Sequence, residues 1–318
     1  MANAPILFDR HLLRRRRQRA RAQTGARGGA DFLLIQVADD LAQRLSMVMR
    51  RFERAVDLGT PGDAVRRALE TQLETQLAGP LIRAGDRGTG LAAAGDGLRV
   101  IADEEALPFA DGSLDLVVSA LALHVLNDLP GTLAQIRRAL KPDGFFLAAM
   151  LGGDTLCELR QAFAEAETLI EGGLSPRVAP FADVRQLGGL LQRAGFALPV
   201  ADSDRLTVRY DSALALMQDL RRMGATNTLA ERRKAPLRRE TLARMLQVYA
   251  DNYADADGRV RATFEVVWLS GWAPHASQQQ PLKPGSARHR LADALGAREI
   301  PLGDKMIGDK TIGDKTGR

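Results

Sequence analysis

Three acidic residues follow short apolar segments in the first third of the chain. They are Asp57 in "VDLGTPGD", Asp86 in "LIRAGD" and Asp103 in "RVIAD". The first of them is followed at once by a glycine turn, which lets a ligand approach the backbone closely. Carboxylates accept hydrogen bonds from hydroxyl and amine groups. A glycine turn with further carboxylates is therefore a set of groups that could bind a nucleoside carrying an amino-acid end.

The segments that carry these acids alternate between strand and helix patterns. Strands are predicted at 52–58, 80–84, 98–102 and 114–119, and a fifth strand after Gly144. Helices are predicted over 64–77 and directly after the fourth strand. Such alternation predicts parallel strands with helices on both faces of one sheet. Ligands of these sheets bind outside the carboxyl ends of the strands. We therefore expect the three acids to meet at that edge.

The remaining segments are mostly helical. Helical periodicity is present at 5–22 and 31–50, separated by the stretch Gly25 to Gly29, and again at 154–171, 183–194, 212–223 and 238–253. The segments "RLTVRY" and "RVRATFEVVWLSGW" predict a final antiparallel hairpin. The helices between these two strands are interpreted as a lid over the site.

Three regions are predicted along the chain. Residues 1–50 form basic and amphipathic N-terminal helices, and residues 51–272 form the α/β domain, with insertions at about 153–195 and 211–255. Residues 273–318 are rich in Gln, Pro and Gly and end in the near-repeat "GDKMIGDKTIGDKTGR". This composition predicts a disordered polar tail.

The positive charge is concentrated at the N-terminus. The net charge is +5, but residues 1–21 hold seven Arg and one Asp, so the rest of the chain is close to −1. Nucleic-acid proteins spread basic residues over a face with aromatic residues between them, so we exclude a nucleic-acid partner. Two interpretations of Arg14 to Arg17 remain open, a docking patch for an acidic carrier protein and a solvated basic helix.

Cysteine and histidine content argues against a metal site. Cys157 is the single cysteine, which excludes an internal disulfide and a Cys-rich metal site. The four histidines form no H-x-D or H-x-E pair of the kind that non-haem iron oxygenases use. No apolar run approaches the roughly 20 residues of a membrane-spanning helix.

The segment "ADEEALPFADGSLDLVVSALALHVLNDLPGTLAQIRRALKPDGFF" resembles the type 11 core of the class I methyltransferase superfamily. The resemblance implies an α/β, Rossmann-like fold with a seven-stranded, mostly parallel sheet and S-adenosyl-L-methionine as cofactor. The amino-acid end of the cofactor is assigned to the glycine loop. Its ribose is assigned to the end of the second strand and its adenine to the end of the third. The implied cofactor-binding residues are Asp57, Gly59, Thr60, Gly62, Asp86, Asp103, Glu104 and Ser119.

Two departures from the superfamily pattern stand out. The glycine loop is usually D-L-G-C-G-x-G, whereas here Pro61 replaces the second glycine and Asp63 the third. Proline fixes φ and adds bulk, and Asp63 adds a negative charge near the cofactor's own carboxylate. Val125 also stands where related sequences carry a tryptophan. These changes predict weaker binding of the cofactor.

The motifs "LFDRHLLRRRRQRA", "GGDTLCELR", "MQDLRRMGATN" and "GWAPHASQQQPLKPGSA" narrow the resemblance to the complex I assembly factor 5 family and its bacterial relatives. That family implies a protein substrate, the quinone-site iron–sulfur subunit of complex I, modified at arginine. It also implies a cytoplasmic protein, peripheral at the inner membrane through its substrate, or a matrix protein in a eukaryote. The wider group includes malonyl-acyl carrier protein methyltransferases.

Three functions remain open from the sequence. The first is hydroxylation or methylation of an arginine in a complex I subunit, and the second is methyl transfer to a small molecule or an acyl carrier protein. The third is a non-catalytic assembly chaperone with a vestigial cofactor site. His124 and Asp128, just beyond the fourth strand, are the candidate general bases for an enzyme.

Overall fold

The computed structural model describes residues 6–27, 31–72, 76–86, 89, 98–279, 293, 295 and 296. Eight α-helices and seven strands lie in this part of the chain. The helices are α1 (Arg10–Arg27), α2 (Phe32–Ser46), α3 (Ala64–Gln72), α4 (Leu129–Ala139), α5 (Cys157–Glu171), α6 (Val184–Arg193), α7 (Ala213–Arg222) and α8 (Arg239–Tyr253). The strands are β1 (Ala55–Leu58), β2 (Leu81–Gly85), β3 (Arg99–Ile101), β4 (Leu114–Ala120), β5 (Leu140–Leu151), β6 (Ala197–Tyr210) and β7 (Val260–Trp272).

All seven strands join one sheet, in the order β3-β2-β1-β4-β5-β7-β6. Strands β1 to β5 pair in parallel, and β7 runs antiparallel to both of its neighbours. The predicted seven-stranded, mostly parallel sheet is confirmed. The strand order reverses between β1 and β4, so the crevice that binds ligands in such sheets lies at their carboxyl ends.

The apolar residues of β4 show why the sheet carries helices on both faces. Leu116 and Val118 pack into one cluster with residues of α2, α3, α5, α7 and α8. Val117, between them, packs into a second cluster with residues of α4 and α6. Because neighbouring side chains of a strand point to opposite faces, a continuous apolar run is buried on both sides.

Several boundaries differ from the sequence prediction, and two of them have a clear local cause or consequence. The helix expected directly after β4 is a single 3-10 turn at Leu123–Val125, and α4 begins at Leu129. Its start is fixed because the Asp128 carboxylate caps the helix, accepting from the Gly131 amide at 2.8 Å. Gly25 was expected to interrupt the N-terminal helices, but α1 continues to Arg27.

The segment before α1 is held from two sides. The Asn127 side-chain oxygen, in the loop after β4, accepts from the amide of Phe8 at 2.7 Å. On the other side the Asp9 amide donates to the Thr228 carbonyl at 2.8 Å, and the Asp9 carboxylate pairs with Arg232 at 3.2 Å. These contacts fix where α1 begins, over the carboxyl ends of the strands.

A compact unit ends at Ala276. Nearly all of the predicted polar tail, 273–318, lies outside the described residues. In the part of the chain that the structure describes, no helix combines the length and the apolarity that crossing a bilayer requires.

Candidate functional site

Asp57, at the end of β1, is buried, and its carboxylate has only part of the hydrogen bonds and ion pairs that a buried charge needs. Its Oδ1 atom has no hydrogen-bond partner among the described residues, and the nearest cation, the Arg83 Nε atom, lies 4.0 Å from Oδ2. Burial raises the pKa of Asp57 to about 7, although a hydrogen bond with Thr60 and the charge of Arg83 act in the opposite direction. Asp57 is thus the least compensated of the carboxylates at the strand ends.

The two predicted hydroxyl residues bind the protein backbone. The Ser119 hydroxyl donates to the Leu58 carbonyl at 2.7 Å, and the Thr60 hydroxyl oxygen accepts from the Ala120 amide at 2.9 Å. Both contacts join the end of β1 to the end of β4. Thr60 and Ser119 therefore position the glycine loop against β4, at the point where the strand order reverses.

The glycine loop has two residues with positive φ. Gly59 has a φ of +72°, and a Cβ atom there would lie 3.0 Å from the Glu104 side chain. Gly62 has a φ of +74°, and nothing lies within 4 Å of the place its Cβ atom would take. Only glycine adopts these angles without strain. The loop is therefore closed by Glu104 at one end and open at the other.

The extra charge in the loop is paired locally. Asp63 forms ion pairs with Arg66 at 3.3 Å and with Arg67 at 3.0 Å, both in α3. The expected repulsion of the cofactor by Asp63 is therefore reduced. Pro61 faces a large cavity beside the strand ends.

Arginines of α1 bind the carboxylates at the ends of β2 and β3. The Arg14 Nε atom donates to Asp86 at 2.6 Å, and its Nη2 atom donates to Asp103 at 3.4 Å. Arg10 donates to Asp103 and to Glu104, and its Nη1 atom lies 3.1 Å from Glu105. The interpretation of Arg14 to Arg17 as a solvated basic helix is therefore wrong for Arg14, which pairs with two carboxylates.

Glu104 lies at the centre of this acidic cluster, which we call the acidic edge (Asp86, Asp103, Glu104 and Glu105). Its side chain is 4% exposed and accepts from the Asp86 amide at 3.1 Å. Burial and the neighbouring charge of Asp86 raise the pKa of Glu104. For Asp103 burial acts in the same direction, but the Glu105 amide and Arg10 outweigh it and lower its pKa.

A cavity of about 680 Å³ lies next to the acidic edge, bounded by α1, α5, α7 and the segment that leads to α8. His124 lines it, and the His124 Nδ1 atom is buried with no partner in the described part of the chain. Burial and the charge of Arg17 lower the pKa of His124 to about 3, so the ring is neutral at neutral pH. The structure brings His124 to the cavity but not Asp128, which caps α4 on the surface.

The sequence matches known proteins over almost its whole length. It is 38% identical over 287 residues to the mitochondrial arginine-hydroxylase NDUFAF5 of Danio rerio, covering 90% of this chain and 89% of that protein. The chain belongs to the arginine-hydroxylase NDUFAF5 family. Within it, residues 81–148 match the model of a methyltransferase domain.

Two further comparisons concern a second relative and the fold. The chain is 39% identical over 263 residues to the malonyl-[acyl-carrier protein] O-methyltransferase of Laribacter hongkongensis, covering 79% of this chain and 86% of that one. The crystal structure of YcgJ from Bacillus subtilis has the same fold, with a TM-score of 0.50 and 15% identity, covering 74% of this chain and 98% of that chain.

The methyltransferase domain makes S-adenosyl-L-methionine the cofactor of this family member. The residues of the site fit such a molecule: two carboxylates at neighbouring strand ends, open space at Gly62 and an unpartnered Asp57 oxygen at the loop. The acceptors at the strand ends are already engaged by Arg10 and Arg14. A ligand that donates hydrogen bonds to these carboxylates would compete with the two arginines for their oxygen atoms.

Sequence reasoning missed the arginine partners of the acidic edge. Arg10 and Arg14 are about 90 and 70 residues away from their acids along the chain, so no local pattern connects them. One signal was available: an arm with an excess of arginine and a strand end with three consecutive acids balance each other. Asn127, which anchors the start of α1, was not identified either.

Proposed function

We propose that this protein is an S-adenosylmethionine-binding enzyme that modifies a protein during complex I assembly, by hydroxylation or methylation of an arginine. The observation that carries the proposal is the match with a relative named an arginine-hydroxylase, which covers 90% of this chain and 89% of that protein. A match of this extent goes well beyond residues 81–148, which match the methyltransferase domain. The proposed target is the iron–sulfur subunit that the sequence motifs imply.

The cofactor site is assigned within this proposal. Asp86 would hold the ribose hydroxyls, Asp103 with Glu104 the adenine amine, and the loop from Asp57 to Gly62 the amino-acid end. Thr60 and Ser119 support that loop through the backbone contacts described above. For methylation, the bound cofactor would supply an electrophilic methyl group.

His124 is the proposed proton acceptor at the acceptor side of the cofactor. The ring is neutral, lines the cavity and has an unpartnered nitrogen. Its low pKa makes it a weak base, so its role is to orient an acceptor and receive its proton late. Asp128 is the less favourable of the two candidates because its carboxylate caps α4.

A strain that lacks the protein tests the main function. Mass spectrometry of the complex I subunits should show loss of one arginine modification, and assembled complex I should decrease. Wild-type protein should restore both, and Asp103→Ala should restore neither. Rescue of assembly by Asp103→Ala would instead identify a chaperone with a vestigial site.

A second function is favoured by the carrier-protein methyltransferase, which matches 86% of its own length. Under this proposal the acceptor is an acyl group on a carrier protein. Biotin auxotrophy of the deletion strain and methylation of a malonyl carrier protein in vitro would support it. Normal growth without biotin, together with lost arginine modification, would remove it.

In a bacterium the proposed location is the cytoplasm, with contact to the inner membrane made through the substrate. In a eukaryote it is the mitochondrial matrix, since the matched NDUFAF5 proteins are mitochondrial.

A further inference from the structure

Arg83, in β2, is an arginine buried against the glycine loop. Its side chain is only 4% exposed, and its register neighbour in β1 is Asp57. The two side chains lie on the same face of the sheet, with 4.0 Å between the Arg83 Nε atom and the Asp57 Oδ2 atom. Arginine is rarely buried this deeply, so the contacts of Arg83 should explain its position.

The guanidinium group of Arg83 holds Gly62 in place. Its Nη2 atom donates to the Gly62 carbonyl, and the Gly62 amide donates to the Thr89 carbonyl at 2.9 Å. Both peptide groups of Gly62 are thus attached to β2 or to the chain that follows it. Because Gly62 has no side chain and nothing lies within 4 Å of the place its Cβ atom would take, packing does not fix this part of the loop. The two hydrogen bonds therefore determine where it lies.

The contact with Gly62 also sets the direction of the next amide. The Gly62 carbonyl and the Asp63 amide belong to one planar, trans peptide group, so they point in opposite directions. A carbonyl that points at Arg83 therefore turns the Asp63 amide away from the buried guanidinium group. That amide has no acceptor in the described part of the chain, and it directly precedes α3. Amides at the start of a helix bind carboxylates, as the amino-acid end of the cofactor carries.

Arg83 also acts on the acceptor at this end of the site. Burial raises the pKa of Asp57, and the charge of Arg83 opposes that shift. Arg83 thus favours the ionised form of Asp57, whose Oδ1 atom has no partner among the described residues and can accept from an ammonium group. One side chain therefore supports both contacts that an amino acid requires, a donor for its carboxylate and an acceptor for its ammonium group.

We propose that Arg83 is a positioning residue for the cofactor and that its effect is specific for the amino-acid end. It acts through Gly62 and Asp57. The carboxylates assigned to the ribose and the adenine are paired with Arg10 and Arg14 instead, so their placement should not depend on Arg83. The inference rests on the cofactor site assigned under the proposed function, and it adds a residue that no motif of the sequence indicates.

Calorimetry on the full-length protein with two ligands tests the inference. S-adenosylhomocysteine carries the amino-acid end, and 5′-methylthioadenosine has the same nucleoside and sulfur without it. Arg83→Met keeps an unbranched side chain but removes the charge and the donors. It should weaken binding of S-adenosylhomocysteine about tenfold, because a charge-assisted hydrogen bond that orders the loop is lost. Binding of 5′-methylthioadenosine should change by less than about twofold. Equal losses for both ligands, or no loss for either, would overturn the inference.

Two further variants separate positioning from a general effect on folding. Arg83→Lys keeps a cation and should lose less affinity for S-adenosylhomocysteine than Arg83→Met. Arg99→Met, at an exposed position in register with Arg83 on β3, should change neither affinity. If Arg83→Met does not fold, the ratio of the two affinities is taken from Arg83→Lys, and a wild-type ratio there overturns the inference. A wild-type protein that binds neither ligand would instead overturn the cofactor site itself, so the two failures are distinct.

Discussion

Helix α1 contacts two charged regions, the acidic edge and the cavity, and they differ in how their charges are paired. At the acidic edge, each of the four carboxylates has an arginine partner from α1. In the cavity, Arg17 and Lys234 have no ion-pair partner in the described part of the chain. The comparison shows that one helix places its arginines in two different environments: at the edge two arginines pair with four carboxylates, and in the cavity Arg17 forms no ion pair with any described residue.

The largest expected effect comes from removing a cation at the edge. Arg10→Ala leaves Glu104 buried without an ion-pair partner, so the free energy of unfolding should fall by about 4 kcal/mol. Urea denaturation measures this change. Arg15→Ala, at an exposed position of α1, is the control and should change stability little. Equal losses in both variants would show that the edge pairs contribute nothing specific.

Asp57, the strand-end acid that α1 leaves unpaired, should make stability depend on pH. Its pKa in the folded state is about 7, above the ordinary value of 3.8, so the folded protein holds a proton that the unfolded chain releases. This contribution is complete below about pH 4 and lost as the pH rises to about 7. Over that range the wild type should lose on the order of 3 kcal/mol relative to Asp57→Asn. The free energy of unfolding of both proteins is measured by urea denaturation across this pH range. If it changes with pH in the same way for both, this account is refuted.

Removing a cation from the cavity should have the opposite sign to removing one from the edge. Arg17→Met should raise the free energy of unfolding by about 1 kcal/mol, because an unpaired, partly buried charge is replaced by an apolar chain. The same urea experiment measures it. A decrease similar to that of Arg10→Ala would erase the distinction between the two regions.

The smallest expected effect is on His124. Burial is the main cause of its low pKa, and the charge of Arg17 adds to it. Arg17→Met should therefore move the titration of His124 to higher pH, as followed by NMR of the imidazole resonances. If the titration of His124 is unchanged in the variant, the charge of Arg17 does not contribute to its low pKa.

The sheet was predictable from the sequence because its signals are local. Apolar runs such as Leu114 to Ser119, each followed by an acid or a turn, predict buried parallel strands and the edge where the acids meet. The structure confirms that sheet. The turn at Leu123–Val125 was predicted as the start of a helix, because its apolar residues lead directly into the next helical segment, and the helix cap at Asp128 decides where α4 starts.

The contents of the site were less predictable, because they depend on contacts between distant segments. Asp86 and Asp103 were identified from their places at strand ends, but their partners Arg10 and Arg14 come from a separate helix. A run of arginines is equally compatible with a solvated face, and only the fold shows which of them turn inward. The assignment of individual cofactor contacts remains a prediction.

The contact of α1 with both regions has a thermodynamic consequence. Arg10 and Arg14 lie on the acidic edge, and Arg16 and Arg17 line the cavity, within two turns of one helix that is held at Phe8 and Asp9. Because the backbone before α1 is anchored at Phe8 and Asp9, a substitution that releases this anchor would remove the arginines of both regions at once. The two regions should therefore lose their α1 contacts in one cooperative step.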